Sequence, residues 1–572
     1  MLRRCAFLCL LFFTLVAAPL KRVEFEGNKE LKSDFLYSSL NLFIKKAWYD
    51  FGGNETLKVK NKAIESIKNS LINLYKNEGF FDVAVDVNRT QDRVIFHIFE
   101  GKPVIVKSIK VDSDFDIKKF IPFKVGDRFV ASKFISSREE IKKALYKEGY
   151  CNYDLKTKAY VSKRSYSADL LYRVKKNLQC KFGKITVNNP KDIPKRVILS
   201  RLFYEEGDPY LPQKIELTYK NLIALEAFDE IDIKQNSFGD KINTEIDTSD
   251  IKDKISSNVG IGYETKYGVK SVFHWEERNF RGGARKLSFD IKYSKNESFI
   301  KNSFFNPALF YFPFLNGYVD LKNDFVYSKT IYSDFKERKL ANNLHFQKMY
   351  KRYFLDFGID FQDIKITKDS DICSINDGYF FMVSPYIRAI LDERDSKIDP
   401  KNGIYLSGYF ESGATYLGSS SSYSKLLVEG RVIKTVNDFT IALRSKLGLI
   451  DEFSKDLPES KLFFAGGSFS NRAYGYNKLG ASDASCDGVG GKTLIDNSLE
   501  IDHPIYKKLS FAIFWDSTML SVKERYFGED FVNAYGFGFR YKTIIGPIKF
   551  DIGFNSKDSS IYALHFQIGQ SF

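Results

Sequence analysis

Two hydrophobic rhythms divide this chain. Up to about residue 252, apolar residues recur at helical spacing between short alternating runs. Ile64, Ile67, Leu71 and Leu74 fall on one face of a predicted helix that Gly79 stops. A strand-like run at 21–26 (KRVEFE) precedes it, and runs at 83–87 and 93–99 follow. The pattern returns as a run at 104–111, a helical stretch at 135–146 ending before Gly149, and runs at 153–161 and 169–174. A third copy opens at 182–187, places its last helix over 212–225, and leads into 228–233. The junctions align as LYKNEGFFDV, LYKEGYCNYDL and LIALEAFDEI. A period of roughly 70–80 residues with β-α-α-β-β content predicts three small α+β domains in tandem, at 20–103, 104–179 and 180–252.

From Ser256 onward the rhythm changes to strict alternation. Leu287, Phe289, Ile291 and Tyr293 alternate with polar residues, as do Phe439, Ile441 and Leu443. Ile548, Phe550, Ile552 and Phe554 alternate with Lys549, Asp551 and Gly553. One face is apolar and the other polar or small, which is what a lipid-facing strand requires. At about 20 residues per strand and connection, 256–572 accommodates a 16-stranded antiparallel transmembrane β-barrel. Closure is required because open sheet edges cannot exist in hydrocarbon.

Composition supports that reading. The 572 residues are 28% charged yet 16% aromatic, with 53 Phe and 34 Tyr. A polar lumen, an apolar outer band and aromatic girdles explain the pairing. The net charge of +15 comes from dispersed lysines, which fits a surface facing anionic lipid or lipopolysaccharide better than a nucleic-acid binder. Residues 1–18 read as a signal peptide: Arg3 and Arg4, an apolar core from Cys5 to Val16, then Ala17 and Ala18. Of the remaining cysteines, Cys151 and Cys180 straddle the turn 162–167, so an antiparallel hairpin brings them nearly opposite and allows a disulfide. Cys373 and Cys486 fall in expected outside loops, where a second pair is possible. No C-x-x-C, G-x-S-x-G, H-E-x-x-H or phosphate loop is present, so the sequence offers no metal site, cofactor or enzyme site.

One stretch resists the alternation. Residues 463–480 (FFAGGSFSNRAYGYNKLG) set a single cation, Arg472, among glycines and aromatics between long strands. The aromatics are too many for a solvated tip. A loop of this kind is expected to fold back and bring Arg472 to acidic partners. Leu499 and Ile501 flank Glu500, and Trp515 precedes Asp516, so both carboxylates should point away from lipid.

Gly466-Gly467 leading into Asn471-Arg472-Ala473-Tyr474 resembles the sixth-loop signature of the outer-membrane insertase superfamily of BamA and TamA, with Asn471 and Ala473 in place of the usual aliphatic and glycine. Further fragments resemble that family in order: 260–265 (GIGYET), 277–282, 392–395, 399–403, 498–501, 514–516, 546–551 and the end of the chain at 562–572. The three repeats resemble its polypeptide-transport-associated (POTRA) domains. The resemblance implies a barrel in the Gram-negative outer membrane with the repeats in the periplasm. It implies a latch formed by Arg472, Tyr474, Gly466 and Gly467 against Glu500 and Asp516. It also implies a lateral seam between the first strand, with Val259, Gly260 and Gly262, and the last, with Leu564, Phe566, Ile568 and Phe572. Three repeats resemble the TamA branch, for which unfolded outer-membrane or autotransporter polypeptides are the substrates and a TamB-like inner-membrane-anchored protein the partner. A shortened BamA-type assembly factor and a two-partner secretion transporter are the alternative readings. A passive porin has no need of three repeats.

Overall fold

The computed structural model describes residues 21–42, 58–189, 191–264, 268–350, 353–369, 375–454, 457–481, 489–543 and 546–568. The signal-like segment 1–18, Cys373, Cys486 and Phe572 lie outside the described residues. Two compact units emerge, and the third repeat contributes to both.

Each repeat pairs its first and last elements around a helix. In the first, Lys58–Val59, Lys21–Glu26, Arg93–Phe99 and Ala84–Arg89 form one sheet in that spatial order. Lys21–Glu26 runs parallel to Arg93–Phe99, which is what a crossover through helices imposes. Helix Ile64–Asn77 buries Ile64, Ile67, Leu71 and Tyr75 at helical spacing against Val23, Val94 and Phe96. Gly79 ends it at φ +96°, where an added Cβ would meet the Phe129 carbonyl oxygen at 2.3 Å.

The second repeat keeps the same order in three strands, with Ser167–Lys175 between Ile105–Ser113 and Asp154–Ser162. It has one full helix, Ala131–Lys147. Where the repeat pattern calls for a first helix, it has the 3₁₀ turn Lys118–Phe120. Pro122 and Gly126 follow directly and prevent a longer helix. Cys151 and Cys180 are joined by a disulfide with Cα atoms 5.8 Å apart. The ladder pairs Ser162 with Ser167 and Tyr150 with Gln179, so the cysteines are diagonal neighbours rather than opposed residues.

The third repeat sets Lys241–Asp250 between Lys181–Asn188 and Phe228–Phe238, with helices Lys195–Leu199 and Pro212–Ile223. Val187, Ile193, Val197, Ile198 and Leu222 share one apolar cluster with Ala284 and Ala308 of the barrel. Both guanidinium Nη atoms of Arg201 donate to Asp320 at 2.8 Å. Asn279 Nδ2 donates to Asp192 Oδ2 at 2.7 Å, and the Gly283 amide donates to the Asp192 carbonyl at 2.7 Å. Apolar contact and bidentate charge thus hold this part of the repeat on the barrel turns.

Sixteen antiparallel strands follow, each paired with the next, from Ile255–Glu264 to Tyr562–Ile568. Among the described residues no helix is long and apolar enough to cross a membrane. The strands carry the apolar band: Phe439, Ile441, Leu443, Ile513, Trp515 and Phe550 are half exposed on the outer face. Their neighbours Arg444, Glu500, Asp516, Lys549 and Asp551 are buried on the inner face. Alternation with period two divides the strand in this way because successive side chains leave opposite faces. Among the described residues no ladder joins the first strand to the sixteenth; Tyr263 and Phe566 bring their rings to 6.3 Å across that seam.

The disulfide yields a test. Non-reduced peptide mapping should recover Cys151 linked to Cys180, and free thiols at both would overturn this geometry. Replacing both with serine should destabilise the second repeat by about 3–4 kcal/mol, the closure entropy of a loop of 29 residues, read as faster hydrogen exchange in its strands.

Candidate functional site in the barrel lumen

The eleventh strand, Phe439–Glu452, runs in the same direction as the first, Ile255–Glu264, so the loop before the twelfth strand, Thr493–Tyr506, leaves at the barrel end opposite to the one where the first strand begins. The loop then turns back inside. Its arms pair briefly, Phe463 with Gly491 and Ala465 with Leu479. Phe463, Ala465, Leu479 and Ala481 pack with Phe335, Ile364, Phe380, Met382, Tyr423 and Leu494 of the inner wall. Phe463, with Phe464 and Tyr474 packed beside it, builds an apolar plug within a polar lumen, whereas Phe469 and Tyr476 of the same stretch stay exposed.

The Gly466-Gly467 pair makes the reversal. Gly466 has φ +95° and Gly467 φ +106°, and a Cβ on Gly466 would meet the Gly475 carbonyl oxygen at 2.5 Å. The Gly467 amide donates to the carbonyl of Tyr474 at 3.0 Å, closing the tip on itself. Asn471 stands where the family has an aliphatic residue. It is buried, donates through Nδ2 to the Val532 carbonyl at 2.8 Å, and accepts from the Ala473 amide at 3.2 Å.

Arg472 is 2% exposed and reaches two strands of the wall. Its Nε and Nη2 donate to Asp516 at 2.9 Å each, and its own amide donates to the same carboxylate at 3.0 Å. Nη1 donates to Glu500 Oε2 at 2.6 Å, and Nη2 also donates to Ser498 Oγ at 3.1 Å. The guanidinium carbon lies 3.4 Å from the centre of the Phe514 ring. A planar fork satisfied by two carboxylates, with a ring beneath it, is a geometry that lysine cannot reproduce.

Several of these partners escape a reading of the sequence. Asp551 Oδ2 lies 3.7 Å from Arg472 Nη1. Arg540 pairs with Asp551 and, through Nη2, with Glu500 at 3.1 Å, while Lys549 Nζ stands 4.0 Å from Glu500. Arg472, Arg540 and Lys549 thus face Glu500, Asp516 and Asp551, a cluster whose opposite charges compensate one another. Gly553 admits the tip: its Cβ would meet the Arg472 carbonyl oxygen at 2.3 Å and the Ala473 amide nitrogen at 3.0 Å. The close backbone approach therefore persists although Ala473 replaces the loop glycine. Tyr474 OH accepts from Asn555 Nδ2 at 2.8 Å. The signal available for all of these was strand phase. Lys549, Asp551, Gly553 and Asn555 are inward residues of the run 546–555, and His565 is an inward residue of 562–568.

A second attachment holds the loop's first arm. Lys461 Nζ donates to Glu411 Oε1 at 2.8 Å, and Lys425 Nζ donates to the Lys461 carbonyl at 2.6 Å. The hydroxyls of Tyr409 and Tyr423 also donate to Glu411. Tyr409, Glu411, Lys425 and Lys461 border a lumen cavity of about 460 Å³ with Glu337 and Arg388. The arm's Glu459 accepts from the Gly490 amide at 2.8 Å, and its burial pushes the carboxyl up to about 7.

At the seam, Val259 and Ile261 are 77% and 83% exposed, and Leu564 and Ile568 are about half exposed. Gly260 and Gly262 present no side chain between them, and a Cβ on Gly260 would meet Val272 Cγ2 at 2.9 Å. The structure thus groups Arg472, Tyr474, Gly466, Gly467, Glu500 and Asp516 in one place. The described seam residues form another.

Removing the cation leaves Asp516 and Glu500 buried without it. Arg472→Ala should cost about 3–5 kcal/mol locally, with the barrel still reaching the membrane and the loop becoming protease-sensitive. Arg472→Lys should fall between, since an ammonium cannot span both carboxylates. Gly553→Val should free the loop in the same way while leaving every charge in place. Wild-type protease resistance in Arg472→Ala would refute the role of this contact.

Comparison with known proteins bears on the family. Residues 279–572 match the model described as the Omp85 superfamily domain, and residues 18–101 match the POTRA model described as surface antigen variable number repeat. The outer membrane protein assembly factor BamA of Neorickettsia risticii (strain Illinois) is 21% identical over 285 residues, 48% of this chain and 38% of that protein. A putative outer membrane protein assembly factor of Treponema pallidum (strain Nichols) is 20% identical over 341 residues, 55% of this chain and 40% of that protein. The chain therefore spans about two-fifths of the length of these curated relatives. The crystal structure of Haemophilus ducreyi BamA lacking POTRA domains 1–3 matches with a TM-score of 0.53 at 15% identity, over 81% of this chain and 99% of that one, a likeness of fold. With just over half of its length matched by the superfamily model, this outer-membrane barrel with amino-terminal repeats in the periplasm belongs to the Omp85 superfamily.

Proposed function

We propose that this chain inserts or translocates outer-membrane and surface polypeptides by strand addition at a lateral gate between its first and last strands. The observation that carries the reading is the seam. Fifteen neighbouring strand pairs are laddered, and among the described residues the first and last strands are not. Unpaired peptide groups in hydrocarbon each cost several kcal/mol. A seam of this kind is therefore the place where an incoming strand gains backbone hydrogen bonds and leaves sideways into lipid, without fuel. The apolar plug that Leu457, Phe463, Ala465, Leu479 and Ala481 form against the inner wall supports this route over passage through an open lumen. The repeats offer the edge strands Ala84–Arg89 and Asp154–Ser162, at which an extended segment can pair on its way to the barrel. The function asks for no enzyme chemistry and no cofactor.

Three repeats favour a TamA-like factor, for which the partner is a TamB-like inner-membrane-anchored protein and the substrates are autotransporter or barrel polypeptides. A shortened BamA-type factor is the second reading, favoured by the names of the two curated relatives. Co-purification from membranes decides between them: a very long TamB-like chain supports the first, a barrel-assembly complex the second. Outer-membrane lipid or lipopolysaccharide is the surrounding partner in either case.

The gate is tested by locking it. In a background with Cys373→Ser and Cys486→Ser, the pair Tyr263→Cys and Phe566→Cys should oxidise readily, because the native rings already meet at 6.3 Å. Oxidation should abolish substrate assembly with the barrel still folded, and reduction should restore it. The same bridge between Val326→Cys and Ala341→Cys, ladder partners in the fifth and sixth strands, should have little effect. Assembly that continues with the seam locked would refute lateral opening.

A further inference from the structure

We propose that His565 is a positioning residue that couples the loop latch to the gate strand. The proposal rests on the lateral-gate reading for its purpose, but its geometry stands separately. His565 lies in the last strand, Tyr562–Ile568, facing the lumen, and is 3% exposed. Its Nε2 is 3.0 Å from the Arg472 carbonyl oxygen. A carbonyl only accepts, so Nε2 carries the hydrogen.

One loop residue is therefore held from two sides. The Arg472 side chain is fixed to Glu500 and Asp516 in the twelfth and thirteenth strands. Its carbonyl is fixed to the sixteenth, over the space left by Gly553 in the fifteenth. The guanidinium cannot move without stranding two buried carboxylates. The carbonyl position is thus an immobile reference, and the last strand is tied to it. A hydrogen bond at 3.0 Å is lost once its atoms part by about another half ångström. Outward movement of the last strand must break this bond early, before the strand has left its neighbour. The latch consequently biases the seam toward closure. The loop tip and the gate strand behave as one element, although Arg472 and His565 are 93 positions apart in the chain.

The expected size of the effect is that of one net hydrogen bond: His565→Ala should raise the open population about fivefold to tenfold. Spin labels on Val269→Cys in the second strand and Lys557→Cys in the turn before the last strand, with Cys373→Ser and Cys486→Ser, report the seam width by pulsed dipolar spectroscopy in nanodiscs. His565→Ala should enlarge the long-distance fraction by that factor. His565→Gln, whose amide nitrogen reaches the position of Nε2, should keep the wild-type distribution. His565→Asn, whose amide falls short, should behave as alanine does. The gel shift between heated and unheated protein checks that each barrel is folded, and the Gln–Asn contrast decides the matter if alanine fails to fold. An unchanged distribution in His565→Ala or His565→Asn, or the same widening in His565→Gln, would overturn the coupling. The readout needs no substrate, so failure of the assembly reading, seen when a locked seam still supports assembly, is distinguishable from failure of this one.

Discussion

Hydrocarbon supplies no partner for a peptide group, and most of this structure follows from that constraint. It forces the second half of the chain into strands that satisfy one another, fifteen times over. It fixes the alternation, since a strand between lipid and lumen must present apolar atoms on one side and polar ones on the other. It also makes the remaining pair of strands distinctive, because among the described residues no ladder joins them. Val259 and Ile261 stand on this edge among the most exposed apolar side chains in the barrel.

The interior obeys the converse rule. A charge taken from water must be met by another, or it costs several kcal/mol. Arg472, Arg540 and Lys549 are met by Glu500, Asp516 and Asp551, so the loop enters the lumen as part of a compensated cluster. Lys461 and Glu411 repeat the device at the loop's first arm. Beside these attachments the loop buries Phe463 and Leu479 on the inner wall. Charge fixes where the loop sits, and apolar contact fills the space around it. The carbonyl of the latch arginine carries the same order out to the last strand through His565.

On the barrel's periplasmic turns, Arg201 and Asp320 form a bidentate pair beside an apolar cluster that includes Ala284 and Ala308. Ala308 has φ +50° where the fourth strand shifts register, and its amide donates to Asp320 Oδ1 at 2.8 Å. A bulge frees one residue from the ladder and re-aims it. Here it supplies the surface on which part of the third repeat rests.

The elements were largely legible in the sequence because they depend on local period. Ile64, Ile67 and Leu71 mark a helix wherever they occur, and Leu287 to Tyr293 mark a strand with one lipid face. The inward phase of Glu500 and Asp516 follows from the same period, once Leu499, Ile501 and Trp515 are assigned to lipid. The repeat pattern went too far in one place: β-α-α-β-β content implies two helices in each repeat, whereas the second has a 3₁₀ turn at Lys118–Phe120 in place of its first helix, ahead of Pro122 and Gly126. Local period set Cys151 and Cys180 nearly opposite each other and allowed the disulfide that joins them, with the ladder placing them as diagonal neighbours. What tertiary structure alone decided is which inward residues meet. Asp551, Gly553, Asn555 and His565 have the right phase, but phase says nothing about height in the barrel or distance around it. Those depend on the stagger of every preceding strand pair and on how deeply a loop of some forty residues returns. That depth is set where Phe463 and Leu479 find the far wall and Arg472 finds its carboxylates. Period is a property of neighbours in sequence, whereas the latch is a sum of registers over the whole barrel.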